Sequence, residues 1–537
     1  MPAKELLKIL PKTDIPGCEA FLVIDEISLL NDFDPNLLLA LRRALRLLRQ
    51  LPIWTFFLDT SSGLAILAPA SDADGSNRVV HNNLQRVKPF FALSIDIEFH
   101  RRFLDPNLRR EELRKSLSDF GTIAHMSLFG RPLWAVYEKL NDNHFLSAVQ
   151  MKLLGGCTTF DPKSKHHVFA LLASRICLAP CFRNTAANEL SKVAVSFHLR
   201  LISSIDIKRG RTLTVTPSEP LVSEAAAHCL HGNWPTVIRV LTDDLLGPGL
   251  LDPGLGGELF ARILFIMAKD ATAEDDDATA EDADAKNAAC NIASGQRYSA
   301  PVKLCDFLTK MFGRLLDNLP STFTTAFKDA RVNFNHFVTT DKQLDRKHCD
   351  IEMLYKLLYT NAALQLVVNQ ADWDLLIPVY LGNPSEPFDT AGITSILVQI
   401  KNRVGRVAPF EVNPINYDMV RNGKNPILFL QLEFGVTRTG IDHKFDRDIY
   451  AIRIKGKNHD TYSFLTDKVE TALHCMLTEL TPCVDGTQKE KDQVEQYARL
   501  HYSGWKTIKQ ARKGQHEEVD ELTEMQVCEK RRKGSRS

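Results

Sequence analysis

Four consecutive apolar residues, Phe21–Ile24, end in the acids Asp25 and Glu26. A short apolar run with such an ending predicts a buried strand that carries carboxylates at its tip. Asp34-Pro35 follows, the residue types that cap a helix and occupy its first position. LLLALRRALRLLRQ then repeats apolar positions at helical spacing, and IWTFFLDTSSG returns to a strand-like run. Strand, helix, strand is the grammar of a parallel sheet with a helical crossover. Residues 112–245 read mostly as helices, with EELRKSLSDF, HVFALLASRI and EAAAHCLHGNW as the clearest segments. Beyond residue 296 the pattern changes. Helical spacing over Val302–Leu316 and in DIEMLYKLLYT gives way to five strand-like runs: AALQLVVN, WDLLIPVYL, ITSILVQIK, PILFLQLEFG and DIYAIRIKG. Helix followed by mixed sheet predicts an α/β or α+β block.

Charge and composition divide this pattern into domains. The stretch KDATAEDDDATAEDADAKNAA, residues 269–289, is acidic and alanine-rich, with too little apolar surface to fold alone. It separates a folded block over 1–265 from a second over 296–482, with a linker over 266–295. Charges dominate again over 483–537, which ends in the basic EKRRKGSRS. With 537 residues, 44% hydrophobic and 25% charged, the chain has ordinary globular composition and length for two or three domains. Lys+Arg and Asp+Glu are equal at 66 each. A nucleic-acid surface would therefore have to be local, as in that basic end. No run of apolar residues is long enough to predict a membrane span. The start, MPAKELLKILPKTD, lacks the apolar core and cleavage site of a signal peptide. The 11 cysteines are scattered, Cys177/Cys181 being the one close pair, and no second pair lies at zinc-site spacing. Reduced thiols and an intracellular protein, cytoplasmic or nuclear, are the expectation.

The first candidate chemistry sits on FLVIDEISLL. In P-loop NTPases an apolar strand ends in an acid that holds the magnesium-bound water, and the next acid polarises the attacking water. Asp25 and Glu26 stand in those positions. Thr60 and Ser61, at the end of the second strand run, stand where a polar sensor of the nucleotide phosphate belongs. GxxxxGK[ST] does not occur, and only about twenty residues precede the strand. Without that loop the backbone N–H cradle and the lysine on the terminal phosphates are both missing, so ATP hydrolysis is not expected. The glycine-rich run LLGPGLLDPGLGG, residues 245–257, has no preceding strand and no GK[ST]; it reads as a turn-rich connection.

QADWDLLIPVYL and SILVQIKNR carry the second. A magnesium-dependent phosphodiesterase needs hard oxygen ligands and a lysine near the attacking water. One compact solution puts an Asp on one strand and acid-x-Lys on its neighbour, where residues i and i+2 share a face. Asp374, Gln399 and Lys401 fit that plan, with Gln399 at the acid's place: its oxygen is a ligand without charge. A helical acid often completes such sites, and Glu352 is the candidate, with Asp350 next. Asp389 competes with Asp374 for the main carboxylate. The alternative is a hairpin whose Asp374 and Lys401 form a plain surface ion pair.

The order of these segments resembles Crinkler-type NTPase–nuclease proteins. The resemblance rests on FLVIDEISLL, WTFFLDTSSGLAILAP, LFGRPLWAVY, TPSEPLVSEAAA, RVNFNHFV, NQADWDLLIPVYL and ILVQIKNR, over roughly residues 15–460. It implies an α/β multidomain chain: a partial P-loop NTPase (AAA-like) sheet with a helical lid, then a restriction-endonuclease-like domain of the PD-(D/E)xK type. It matches Asp25 and Glu26 to the Walker B acids, Thr60 or Ser61 to the sensor, and Arg131 to a lid arginine that reaches nucleotide. Asp374, Gln399 and Lys401 match the nuclease core. Magnesium held by Asp374 and Gln399, with Asp25 at the NTPase end, is the implied cofactor, and nucleic acid the implied partner. The rival expectation is a catalytically inert remnant that acts as a binding protein.

Overall fold

The computed structural model of the chain describes residues 20–58, 95–278 and 297–479, apart from the short segments 28, 49, 113, 141–144, 182–183, 207–210, 252–255, 341–349, 368–372, 403–409, 411–419 and 437. The chain is mixed α/β. It divides into two compact units, one from residues 1–91 and 182–214, the other from 92–181 and 215–537. No helix among the described residues is long and apolar enough to cross a membrane.

In the first unit, strand β1 (Ala20–Ile24) pairs in parallel with β2 (Ile53–Phe57), in register from Ala20↔Ile53 to Ile24↔Phe57. Two helices lie between them, Leu29–Phe33 and the longer Pro35–Arg46, which begins as its sequence predicts: Asp34 accepts from Asn36 N at 2.8 Å and Pro35 holds the first helical position. Ile27 and Leu38 form its small core with Ile24, Leu30, Leu41 and Phe57 packed around them. Phe21, Val23, Trp54 and Phe56 remain exposed. A second segment of this unit holds the helix Thr185–Phe197 and the paired strands β3 (Leu201–Asp206) and β4 (Arg211–Val215).

The second unit is built on a nine-stranded sheet curled into a half-barrel. Its strands are β5 (Val302–Lys303), β6 (Arg331–Val332), β7 (His336–Thr339), β8 (Ala362–Gln365), β9 (Leu375–Tyr380), β10 (Ile393–Lys401), β11 (Ile427–Glu433), β12 (Gly440–Asp446) and β13 (Ile449–Lys455). The main path runs β12-β13-β11-β10-β9-β6-β5, while β8 pairs with both β9 and β7. The centre is β10, antiparallel to β9 and parallel to β11, which is in turn parallel to β13. All six residues of β9 and all seven of β11 are buried, so both read in the sequence as continuous apolar runs. Proline inside a central strand is unusual because it cannot donate to the ladder. Here Leu381 N donates to Gly392 O, so odd-numbered residues of β9 bond to β10. The missing donor of Pro378 then faces the other side, between the residues paired with β8 and those paired with β6.

Helix Ile351–Tyr359, capped by Asp350, covers β8, β9 and β10 on one side. The long helix Gly256–Ala278 also reaches β10. The core joins Leu354, Leu358, Tyr359, Trp373, Leu376, Leu397 and Phe429 to Phe120 and Phe129 from the earlier helical part of the chain. Buried polar groups fix the layers. Arg175 is paired to Asp270 through both carboxylate oxygens, at 2.7 and 3.1 Å. Glu224 accepts from the backbone N–H groups of Arg297 and Tyr298, at 2.7 and 2.8 Å, and from Ser299 Oγ. Lys269 donates to the carbonyls of Tyr298 and Ala300.

Candidate functional site

The end of β10 is where chemistry-bearing side chains gather. Val398 pairs with Leu375, yet Asp374 N also donates to Val398 O, at 2.7 Å. Two residues of one strand thus oppose one of the other, which is a bulge, and bulges re-aim side chains. The Asp374 carboxylate turns along the strand end and accepts from Ile400 N at 2.6 Å, so its two bonds bracket Gln399. On β10 itself Gln399 and Lys401, two residues apart, share a face and are partly buried. The parallel register sets Gln431 beside Gln399 and Glu433 beside Lys401 on that face.

A second carboxylate reaches this corner from the helix Gly256–Ala278. Glu258, in its first turn, accepts from Gln365 Nε2 at 3.3 Å. Gly257 explains the approach: a Cβ there would lie 3.1 Å from both Ile400 Cγ2 and Asn402 Cβ. Burial raises the Glu258 carboxyl to about 7, with the Asp374 charge adding to the rise. Burial likewise raises Asp374 to about 6, against the pull of the Ile400 N–H and the Lys401 charge. A buried acid and a partly buried one that resist ionising together, at a strand end that also carries Gln399, supply hard oxygens of the kind a small divalent cation takes. Among the described residues no group of three or more His, Cys, Asp or Glu side chains gathers for a metal. Gln399 would therefore have to serve as a ligand beside the two acids.

The other expected residues have different surroundings or, for Thr60 and Ser61, none that is described. Glu352 pairs with Lys356 at 2.6 Å one helical turn on, its side chain 69% exposed. Asp350 caps the same helix through Met353 N, and Asp389 accepts from Ala391 N in a short turn. Asp25 and Glu26 follow β1, Asp25 exposed and Glu26 at a left-handed φ of 49°. Asp25 Oδ1 accepts from Glu26 N. Thr60 and Ser61 lie outside the described residues. Arg131 is engaged by Glu219, which also accepts from Arg131 N at 2.9 Å and from the buried Trp134 Nε1 at 2.7 Å. Its guanidinium is thereby committed to a mostly buried ion pair.

Glu258 is the acid that sequence reading missed. The signal available was GLGGE, a pair of glycines directly before an acid that opens an apolar helix. A family model described as "Domain of unknown function (DUF8736)" matches residues 160–282, a stretch that includes Glu258. No curated protein and no solved structure matches the chain.

Proposed function

We propose that the chain is a Crinkler-like NTPase–nuclease family protein whose β9–β10 corner cleaves phosphodiester bonds in nucleic acid, in a domain of the PD-(D/E)xK type. The observation that carries this reading is the Asp374 bulge, with its carboxylate bonded to Ile400 N between Gln399 and Lys401. A lone surface ion pair has no need of a bulge, of burial, or of a second buried acid at Glu258. Magnesium would be held by Asp374, Gln399 and Glu258, and when bound it supplies Lewis acidity to a phosphoryl oxygen and eases deprotonation of water. Lys401 offsets the charge that develops on the phosphoryl oxygens. Asp374 contributes negative charge in a position fixed by its backbone bond. Glu258 brings the second charge that Gln399 lacks. The strand pair with Asp25 and Glu26 is read as the Walker B end of an NTPase sheet, and ATP turnover by this chain is not expected because GxxxxGK[ST] does not occur in it.

The test is nicking of supercoiled plasmid by the full chain with magnesium or manganese. Lys401→Ala should cut at least about 100-fold more slowly. Equal cutting by Lys401→Ala and the parent rejects the assignment. A parent that binds DNA without cutting it favours the inert binding protein instead.

A further inference from the structure

The face that carries Gln399 and Lys401 continues onto β11 and β13. Gln399, Gln431 and Arg453 are register neighbours, as are Lys401, Glu433 and Lys455. Gln431 and Glu433 are fully buried polar residues in an otherwise apolar strand. Gln431 Nε2 donates to Glu433 Oε1 at 2.7 Å, and Arg453 Nη1 stands 3.7 Å from that same oxygen. Glu433 Oε2 and Gln431 Oε1 are buried and have no hydrogen-bond partner among the described residues. A carboxylate oxygen taken out of water without a donor is costly, so such a group marks a place where a donor belongs.

The neighbours narrow what that donor is. Lys455 Nζ is held by Asp442 at 2.7 Å, and Arg453 Nε donates to the same Asp442 oxygen, also at 2.7 Å. The ion pair of Glu433 among the described residues is with Arg453; the remaining cation in register on this face is Lys401, one strand spacing away, about 5 Å, whose flexible stem allows it to swing toward the free Glu433 oxygen. We propose that Glu433, with Gln431 beside it, seats the Lys401 ammonium and is a positioning residue for the cleavage site. Asp374 draws the ammonium from the β9 side and Glu433 from the β11 side, which fixes its place over the end of β10. The seat stands on the register and the orphaned oxygens; its consequence for catalysis rests on the phosphodiesterase reading.

The experiment uses the full chain labelled with 15N at lysine side chains. An ammonium held by carboxylates exchanges slowly enough to give an Nζ resonance, assigned to Lys401 by its loss in Lys401→Arg. The parent should show it, and Glu433→Gln should weaken it at least fivefold with the fold checked by circular dichroism. An unchanged resonance in Glu433→Gln, or none in the parent, overturns the seat. If Glu433→Gln fails to fold, Glu433→Asp decides: a threefold loss supports the seat and an unchanged signal rejects it. In the nicking assay Glu433→Gln should lower kcat at least tenfold with KM within threefold. A chain that cuts normally with its signal unmoved removes the seat alone; a chain whose signal moves but which never cuts removes the phosphodiesterase alone.

Discussion

Asp374 serves two partners with one carboxylate. One oxygen accepts from Ile400 N and continues the sheet where the bulge interrupts it; the charge faces Lys401 and Glu258. Asparagine keeps the acceptor and removes the charge. Asp374→Asn should therefore melt no lower than the parent, since a partly buried charge is gone, yet lose cutting. A large fall in melting temperature would show instead that the carboxylate is chiefly a structural link. His125 gives a second residue-scale prediction. Its ring is buried, bonded to Tyr359 O through Nε2 at 2.8 Å and close to Lys115 Nζ through Nδ1 at 3.0 Å. Burial, and then the Lys115 charge, push it down to about 3. The folded state keeps it neutral while the unfolded chain takes up a proton below about 6.5. Its contribution is thus fully present above that pH and falls as pH drops toward 3, by up to about 1.4 kcal/mol per unit. His125→Phe is expected to be less stable than the parent at pH 7, with a gap that narrows by pH 5 in denaturant titrations. A constant gap would mean that His125 does not titrate differently in the two states.

The elements show which parts of this fold a sequence discloses. Asp34-Pro35 opens its helix through the capping chemistry expected of those residues, and β8, β9, β10, β11 and β13 fall inside the five strand-like runs; the fully buried β9 and β11 leave the most continuous apolar stretches. Edge strand β12, GIDHKFD, has no buried residue and is mostly polar, and leaves no such trace. The short strands β5, β6 and β7 borrow their order from neighbours rather than from their own pattern. At the site, Asp374, Gln399 and Lys401 were legible because a hairpin keeps them near in sequence. The bulge was not, since nothing in QADWDLL marks one extra residue. Glu258 was not legible either: it precedes Asp374 by more than a hundred residues and is brought near only by packing of its helix on β10. That packing gives an element-scale prediction. Gly257→Val inserts a branched side chain where Ile400 and Asn402 already touch. It should cost about 1–3 kcal/mol in denaturant unfolding and slow nicking by displacing Glu258. Full activity in the variant would mean that the approach of this helix to β10 is not needed.

At the scale of the larger unit, the chain that follows residues 279–296 is tied back onto helices that precede them. Glu224, on the helix Pro220–Leu230, and Lys269, on the helix Gly256–Ala278, grip the backbone of Arg297–Ala300 by its donors and its carbonyls. Removing the acceptor strands several buried donors at once. Glu224→Leu is expected to destabilise the protein by about 3 kcal/mol or more, whereas Glu352→Leu, which breaks only an exposed helical pair, should change stability by less than about 0.5 kcal/mol. Similar costs for the two would show that the Glu224 grip does not hold this unit together. That framework presents the end of β10, with two carboxylates, an amide and a lysine, at one corner. The measurement that bears most directly on the claim made for that corner compares the parent with Asp374→Asn in manganese-dependent plasmid nicking, both proteins first shown to melt alike. The parent should nick, and the variant should be at least about 100-fold slower. Equal rates, or no metal-dependent nicking by the parent, contradict it.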